Sequence, residues 1–600
     1  MIKFFTIWIM TFPSSVIAQT NATFNSILRK GIEKEELSGA VWSIISDDSI
    51  HTGAVGLKNL KSKELLKKED KVLVGSITKT LIATGILKLV SQEKLELNAP
   101  INLYAPDIDF DNAWEDTSPI TIKHLLNHTS GIEDSRFWQV FSTKAKSDTP
   151  LEYLFSSNLS SSLKVRTKPG ARFSYSNLGY ALLGLIIERV TGQPYEEYLD
   201  KHLLKPLGMV NSTFQFLSQE GRYKDESLAM GHFENNQAQV NLPIFLRPAG
   251  QFTTTALDMA ILARFLMNKG LVNGKQFIDE GLLRQMGKSN STEANKNGLL
   301  TGYQFGLSYR DRYGVIGYFH RGNIIGYRAT LYLFPEEKKA FFISYNMDSE
   351  NANYESFNRL FIDYMNIHKP EKMKIQDELP QDIDDYKGYY KINPVQFSKF
   401  EYLDLLFNSI QVEIESSNLK INSVHNEAFS LLPSAKNLFR KEDRVNSSHV
   451  IYKKEESPLI SNGLLTYEMV NPVYLGLLWL SLIFGLLGLL IILIRGIYKL
   501  FKKLLFHSKE AITFPFLSII GLVIPIPLLL NQSFLSLGEM TLGNVMLAFF
   551  SGLLPLGMAI GLIKSYKTKT FKIDQISILA TLQWLVVLII WELVPFIIWL

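Results

Sequence analysis

Apolar and polar positions alternate differently along different stretches of the 600-residue chain. A run from Phe4 to Phe12 follows a single charge at Lys3, and Val16-Ile17-Ala18 then precede Gln19. This pattern predicts a secretory signal peptide over residues 1–18, with cleavage after Ala18. Gly39–Asp48 and Ser49–Leu57 read as two strands of a hairpin turning at Asp47-Asp48. Helical periodicity dominates about 76–240 and is clearest at Thr78–Gln92 and Leu178–Thr191. Strand patterns return at 303–310, 315–320, 327–334 and 339–346, followed by a helix over 351–367. Strands at both ends with helices between them predict an α+β domain over 19–370, an antiparallel sheet interrupted by a helical insertion. From Gln381 the pieces YKGYYKI, IQVEIESSNLKI, FSLLPS, LFRKED and HVIYKKEE alternate with a period of two. They predict a small all-β module over 380–470.

The pattern changes again at about residue 473. Four apolar runs, 473–494, 512–531, 541–563 and 575–600, are each long enough to cross a bilayer as a helix. They predict an all-α membrane domain of four helices over 473–600. Arg495, Lys499, Lys502, Lys503 and Lys509 lie between runs one and two, and Lys564, Lys567, Lys569 and Lys572 between runs three and four. The loop between runs two and three has Glu539 and no Lys or Arg. Positive loops stay cytoplasmic, so residues 19–470 are expected outside, in agreement with the leader. Pro515, Pro525 and Pro527 predict a kink in run two, and Glu592 reads as a solvated residue near the outer interface.

The charge balance, 62 basic against 58 acidic residues, gives +4 and no electrostatic case for nucleic acid. The absence of cysteine excludes disulfides, thiol nucleophiles and cysteine-held zinc. No cofactor is implied. His124 and His128 stand four apart on a helical stretch, but no third metal ligand accompanies them.

Ser76 and Lys79, in GSITK at the head of an apolar helix, face one side of a helical turn. A serine hydroxyl needs a base, and a desolvated lysine amine can serve as one. The helix start also offers the Ser76 N–H to an oxyanion. Alone, the pair is a weak signal that recurs by chance, and a helix-capping serine is the ordinary reading. Tyr175 and Asn177, in FSYSNLGYALLG, suit a proton relay and a substrate-amide contact, or else a core tyrosine and an N-cap. In HRGNIIGYRATLYLFPE, Gly322 permits close backbone approach and Asn323 offers a second oxyanion N–H.

In this order the three segments resemble the serine β-lactamase and penicillin-binding-protein superfamily. The branch is that of the class C β-lactamase-like hydrolases, which includes DD-peptidases and esterases. PITIKHLLNHTSGI, KPGARFSYSN, LLKPLGM and PAGQFTTTALDMA extend the likeness over about 25–365, leaving the membrane tail outside it. The β module resembles accessory barrel domains attached to some members. The resemblance implies Ser76 as nucleophile, Lys79 as its base, Tyr175 as proton shuttle and Asn177, His320, Gly322 and Asn323 as substrate-binding positions. His320 replaces the usual lysine, and a largely neutral imidazole there argues against carboxylate-bearing β-lactams. An ordinary imidazole would add a pH limb at roughly 6–7. Arg321 restores a cation only if its side chain faces the cleft, and Gln251 stands where a second glycine is frequent. The expected activity is hydrolysis, through an acyl-enzyme, of D-amino-acid peptides or amides related to cell-wall stems. The alternatives are an esterase of the same fold and a non-catalytic β-lactam or peptidoglycan sensor.

Overall fold

The structure is a computed structural model describing residues 14–47, 49–156, 163–376, 378–507, 510–568 and 572–599. The apolar part of the expected leader, Asp48, Lys509 and Lys569 lie outside the described residues. Helix α1 (Ser14–Lys34) runs across the expected cleavage position.

Eight antiparallel strands form the central sheet. β1 (Gly39–Ile45), β2 (Ile50–Asn59) and β3 (Glu64–Leu65) come from the start of the domain. β4 (Tyr303–Gln304), β5 (Leu307–Arg312), β6 (Val315–Ile324), β7 (Tyr327–Phe334) and β8 (Lys339–Tyr345) come from its end. The order is β4-β5-β6-β7-β8-β1-β2-β3. β1 joins β8 with Ala40 opposite Tyr345, so the intervening residues leave the sheet as the expected insertion. β1 is buried along its whole length because helices cover both faces. α2 (Thr78–Ser91), α3 (Asn177–Thr191) and α4 (Ala256–Leu266) share one core with Val41, Leu331 and Phe342. On the other face α1 and α5 (Tyr354–Tyr364) pack through Phe24, whose ring centre lies 4.7 Å from Trp42 and 4.9 Å from Phe361. α2 is buried on nearly all sides, its Thr78, Lys79, Thr80 and Thr84 included, and lies inside the domain.

The β module closes as an eight-stranded barrel, its first strand (Gly388–Ile392) pairing with its last (Thr466–Val470). Tyr390, Val412, Leu419, Phe439 and Ile460 fill it. Arg172 ties it to the α+β domain, reaching Glu293 at 3.1 Å and Glu468 at 3.2 Å. Arg166 bonds Glu401 at 2.8 Å, and Asp311 accepts the N–H groups of Val445 and Asn446 at 2.9 and 2.7 Å. Ala294 and Leu299 bury against Val450, Tyr452 and Leu459 beside these bonds.

Four helical segments at the C-terminal end, Pro472–Phe501, Thr513–Asn531, Leu542–Thr568 and Lys572–Ile590, are long and apolar enough to cross a membrane. The second is broken between Gly521 and Ile526, where the prolines predicted a kink. The fourth corrects the expectation of a run to residue 600. It stops at Ile590, Glu592 takes a left-handed φ of 56°, and the Leu593 N–H returns to Leu588 O at 2.8 Å. Arg495 and Lys499 meet Asp574 at one end of the bundle. At the other end Glu539 accepts the Thr143 N–H at 2.6 Å, and the helix Glu401–Phe407 buries Tyr402 and Leu405 against Leu475 and Leu593. The α+β domain and the barrel therefore touch the bundle at the end away from Arg495 and Lys499.

Candidate active site

Ser76 sits on a 3₁₀ turn, Gly75–Ile77, immediately before α2, and Lys79 lies one turn on inside that helix. The Ser76 Oγ receives two close neighbours, Lys79 Nζ at 3.0 Å and Tyr175 OH at 3.0 Å. Lys79 Nζ also reaches Asn177 Oδ1 and Ala249 O, each at 2.8 Å. Both of these oxygens only accept. The Asn177 amide is oriented by its Nδ2, which donates to Asp134 Oδ2 at 3.3 Å. A neutral amine has two N–H groups and one lone pair, so once the two carbonyl oxygens take the hydrogens the lone pair is left for Ser76. Lys79 is wholly buried, and burial lowers its amine to about 7, against the raising effect of the Asp134 charge. Burial drives the Tyr175 phenol well above its usual range, so it is a proton donor at neutral pH.

The other wall is β6. Its pairing with β5 ends at Phe319 opposite Ser308, while its pairing with β7 continues to Ile324. Among the described residues, one edge of β6 beyond Phe319 carries no strand and meets the 3₁₀ turn instead. A Cβ on Gly322 would strike the Val74 carbonyl oxygen and come within 3.2 Å of Ser76 N. Gly75, at φ 51°, faces the Asn323 backbone, where a Cβ would lie 2.7 Å from both N and O. Two glycines thus bring the Ser76 and Asn323 peptides side by side.

The structure brings Ser76, Lys79, Tyr175, Asn177, Gly322 and Asn323 together around one point. His320 lies differently from its expectation. It is buried beneath the strand, with Nδ1 2.7 Å from Arg321 O and Nε2 3.1 Å from Tyr303 OH. A carbonyl cannot donate, so Nδ1 carries the proton and Nε2 accepts from the tyrosine. Burial, reinforced by the Lys79 charge, pushes the imidazole down to about 3. The expected limb at roughly 6–7 is therefore absent from this residue, since it stays neutral throughout that range. Arg321 on the same strand is exposed, and its charge is felt at Tyr175. Gln251 is buried, its Oε1 accepting the Ile244 N–H at 3.2 Å.

His124 and His128 each spend Nδ1 on a backbone N–H, Thr121 at 3.3 Å and Ser176 at 3.0 Å. The His128 ring packs 4.3 Å from Tyr175 and backs it. Two residues carried no usable signal in the sequence. Asp134 is buried and accepts the Asn177 N–H at 2.6 Å, and Gln396, from the barrel module, donates to it at 2.8 Å. A lone acid in a loop and a lone amide 262 residues away look like any surface pair.

The beta-lactamase family model matches residues 24–361. Protein flp of Staphylococcus aureus (strain MW2) is 27% identical over 337 residues, covering 54% of this chain and 63% of its own length. PbpX of Bacillus subtilis (strain 168), named as a candidate penicillin-binding protein, is 30% identical over 204 residues, 34% of this chain and 47% of its own. The chain thus spans less than two thirds of these relatives. Among solved structures SurE is similar in fold, with a TM-score of 0.51 at 19% identity over 76% of this chain and 99% of its own.

Proposed function

Because the chain belongs to the beta-lactamase family and is a serine hydrolase of that type, we propose that Ser76 forms an acyl-enzyme with D-amino-acid peptides or amides related to cell-wall stems. The observation that carries this reading is the Ser76 Oγ held at 3.0 Å by both a lowered amine and a raised phenol. In this mechanism Ser76 Oγ attacks the substrate carbonyl carbon while its proton passes to the Lys79 lone pair. The oxyanion lies between the Ser76 and Asn323 N–H groups. Tyr175 gives its phenolic proton to the departing nitrogen or oxygen and recovers one from Lys79. Water then attacks the ester, with the neutral Lys79 amine as base, and Ser76 takes its proton back. Asn177 orients the substrate amide and the lysine together.

The likeness to PbpX favours a peptide or amide related to the cell wall. The buried, neutral His320 favours an esterase as the second reading, since the cation usual at this position is missing. We further propose residues 19–370 as the catalytic domain, 380–470 as the barrel domain and 473–600 as a membrane anchor, after a leader over 1–18. The positive residues 495–509 and 564–572 lie on the cytoplasmic side in this reading, with the catalytic domain outside.

A substrate panel on the full chain in detergent tests the activity. D-alanyl-D-alanine peptides, D-amino-acid amides, p-nitrophenyl esters and nitrocefin are compared. Turnover of amides or esters with slow nitrocefin opening is expected. Rapid nitrocefin opening with no amide, peptide or ester turnover contradicts it.

A further inference from the structure

We propose that Gln396, carried by the barrel module, is a positioning residue for the acylation centre. By holding Asp134 it fixes Asn177 and, through it, the amine that faces Ser76. The inference rests on the Ser76 reading above and adds a part from outside the matched domain.

The chain of contacts is continuous. Gln396 Nε2 donates to Asp134 Oδ2 at 2.8 Å. Asp134 Oδ1 accepts the N–H groups of Asn177 at 2.6 Å and Ser135 at 2.7 Å. Asp134 Oδ2 also takes Asn177 Nδ2 at 3.3 Å, and Asn177 Oδ1 takes Lys79 Nζ at 2.8 Å. A carboxylate offers about four lone-pair sites, and these four N–H donors fill them. The Ser135 hydroxyl adds a longer contact to Oδ1 at 3.3 Å. Asp134 is 3% exposed, so water does not replace a missing donor. Three of the N–H donors belong to the catalytic domain, and Gln396 alone comes from the barrel side. Among the influences that oppose the burial of Asp134, the Gln396 bond is the largest.

The surroundings of Asp134 are otherwise sparse in charge. Lys79 faces it through Asn177, and Tyr175 feels its field. Glu133, next in the chain, is engaged by Arg166 at 3.6 Å, and Arg166 also bonds Glu401 at 2.8 Å. An amide is the neutral donor that completes the carboxylate without adding charge. Loss of that donor leaves Asp134 underbonded and frees Asn177 to turn, which moves the lysine amine off Ser76.

The test uses the full chain in detergent with Q396A and Q396E. Hydrolysis of a p-nitrophenyl ester and acylation by a fluorophosphonate are followed from about pH 5 to about pH 9. Q396A is expected to lower kcat about tenfold with KM within about twofold, since a donor to a buried charge is lost. In Q396E the introduced carboxyl donates to Asp134 while it keeps its proton. Its rate relative to wild type should therefore approach one at the acid end and fall as that proton leaves. A purely structural contact gives the same ratio at every pH. A wild-type kcat in Q396A, or a flat Q396E ratio, overturns the proposal, and the ratio decides even where Q396A is less stable. S76A run alongside separates the two claims: labelling that survives in S76A removes the nucleophile reading, whereas a blank S76A with a flat Q396E ratio removes only the role of Gln396.

Discussion

At the residue scale, the proposed chemistry depends on the burial of one amine. Lys79 is lowered to about 7, so kcat/KM should rise with pH through about 7 and then level off, because only the neutral amine accepts the Ser76 proton. His320, pushed down to about 3, should add no limb above about pH 5. A stopped assay across pH with a neutral ester checks both, and a second limb near 6–7 that vanishes in His320→Asn contradicts the assignment. Arg321 is the exposed cation on β6, so Arg321→Ala should lower kcat/KM about tenfold for carboxylate-bearing substrates and leave neutral esters within about twofold. Equal losses for the two classes would show that Arg321 does not read substrate charge. The cluster of Ser76, Lys79, Tyr175 and Asn177 was legible in the sequence because motif spacing and helix geometry constrain it. The state of His320 was not, because it is set by Tyr303 and by the depth of burial, which no local pattern records.

At the scale of elements, the cleft depends on how closely β6 lies against the turn that carries Ser76. Gly322→Ala puts a methyl group on the Val74 carbonyl and forces the strand outward. The expected cost is about 1–3 kcal/mol in urea unfolding, together with loss of fluorophosphonate labelling. Labelling at the wild-type rate in a variant of wild-type stability would show that this approach is unnecessary. Strands β1 and β2, β5 to β8 and helices α2, α3 and α5 were foreseen, since each has a clear period and buries a definite face. The end of the fourth apolar run was missed: composition stays apolar to the end of the chain, while the backbone turns at Glu592 and Pro595 cannot continue a helix. The helix Glu401–Phe407 was also missed, because its apolar face is explained only by the bundle it packs on.

At the scale of the whole molecule, three modules meet through polar contacts and small apolar seams. Arg172, 7% exposed at its side chain, stands between Glu293 and Glu468. Arg172→Ala takes the ion-pair partner from Glu468, while Glu293 keeps Lys454 at 2.8 Å, and should weaken barrel docking by about 1–3 kcal/mol. Faster protease cleavage within 366–387 reads this, and an unchanged cleavage rate would assign the docking to the apolar contacts instead. Orientation is open to a direct check because the chain has no cysteine. Lys502→Cys and Lys567→Cys should resist a membrane-impermeant maleimide on intact cells, whereas Ser417→Cys on the barrel surface should react, and the reverse pattern inverts the topology. The full chain in detergent is also the form in which the central claim is most directly tested. The protein is treated with a fluorophosphonate at about neutral pH, digested and mapped by mass spectrometry, with S76A as its partner. The account predicts one adduct, on the peptide bearing Ser76, and none in S76A. An adduct on another serine, or one that persists in S76A, contradicts it.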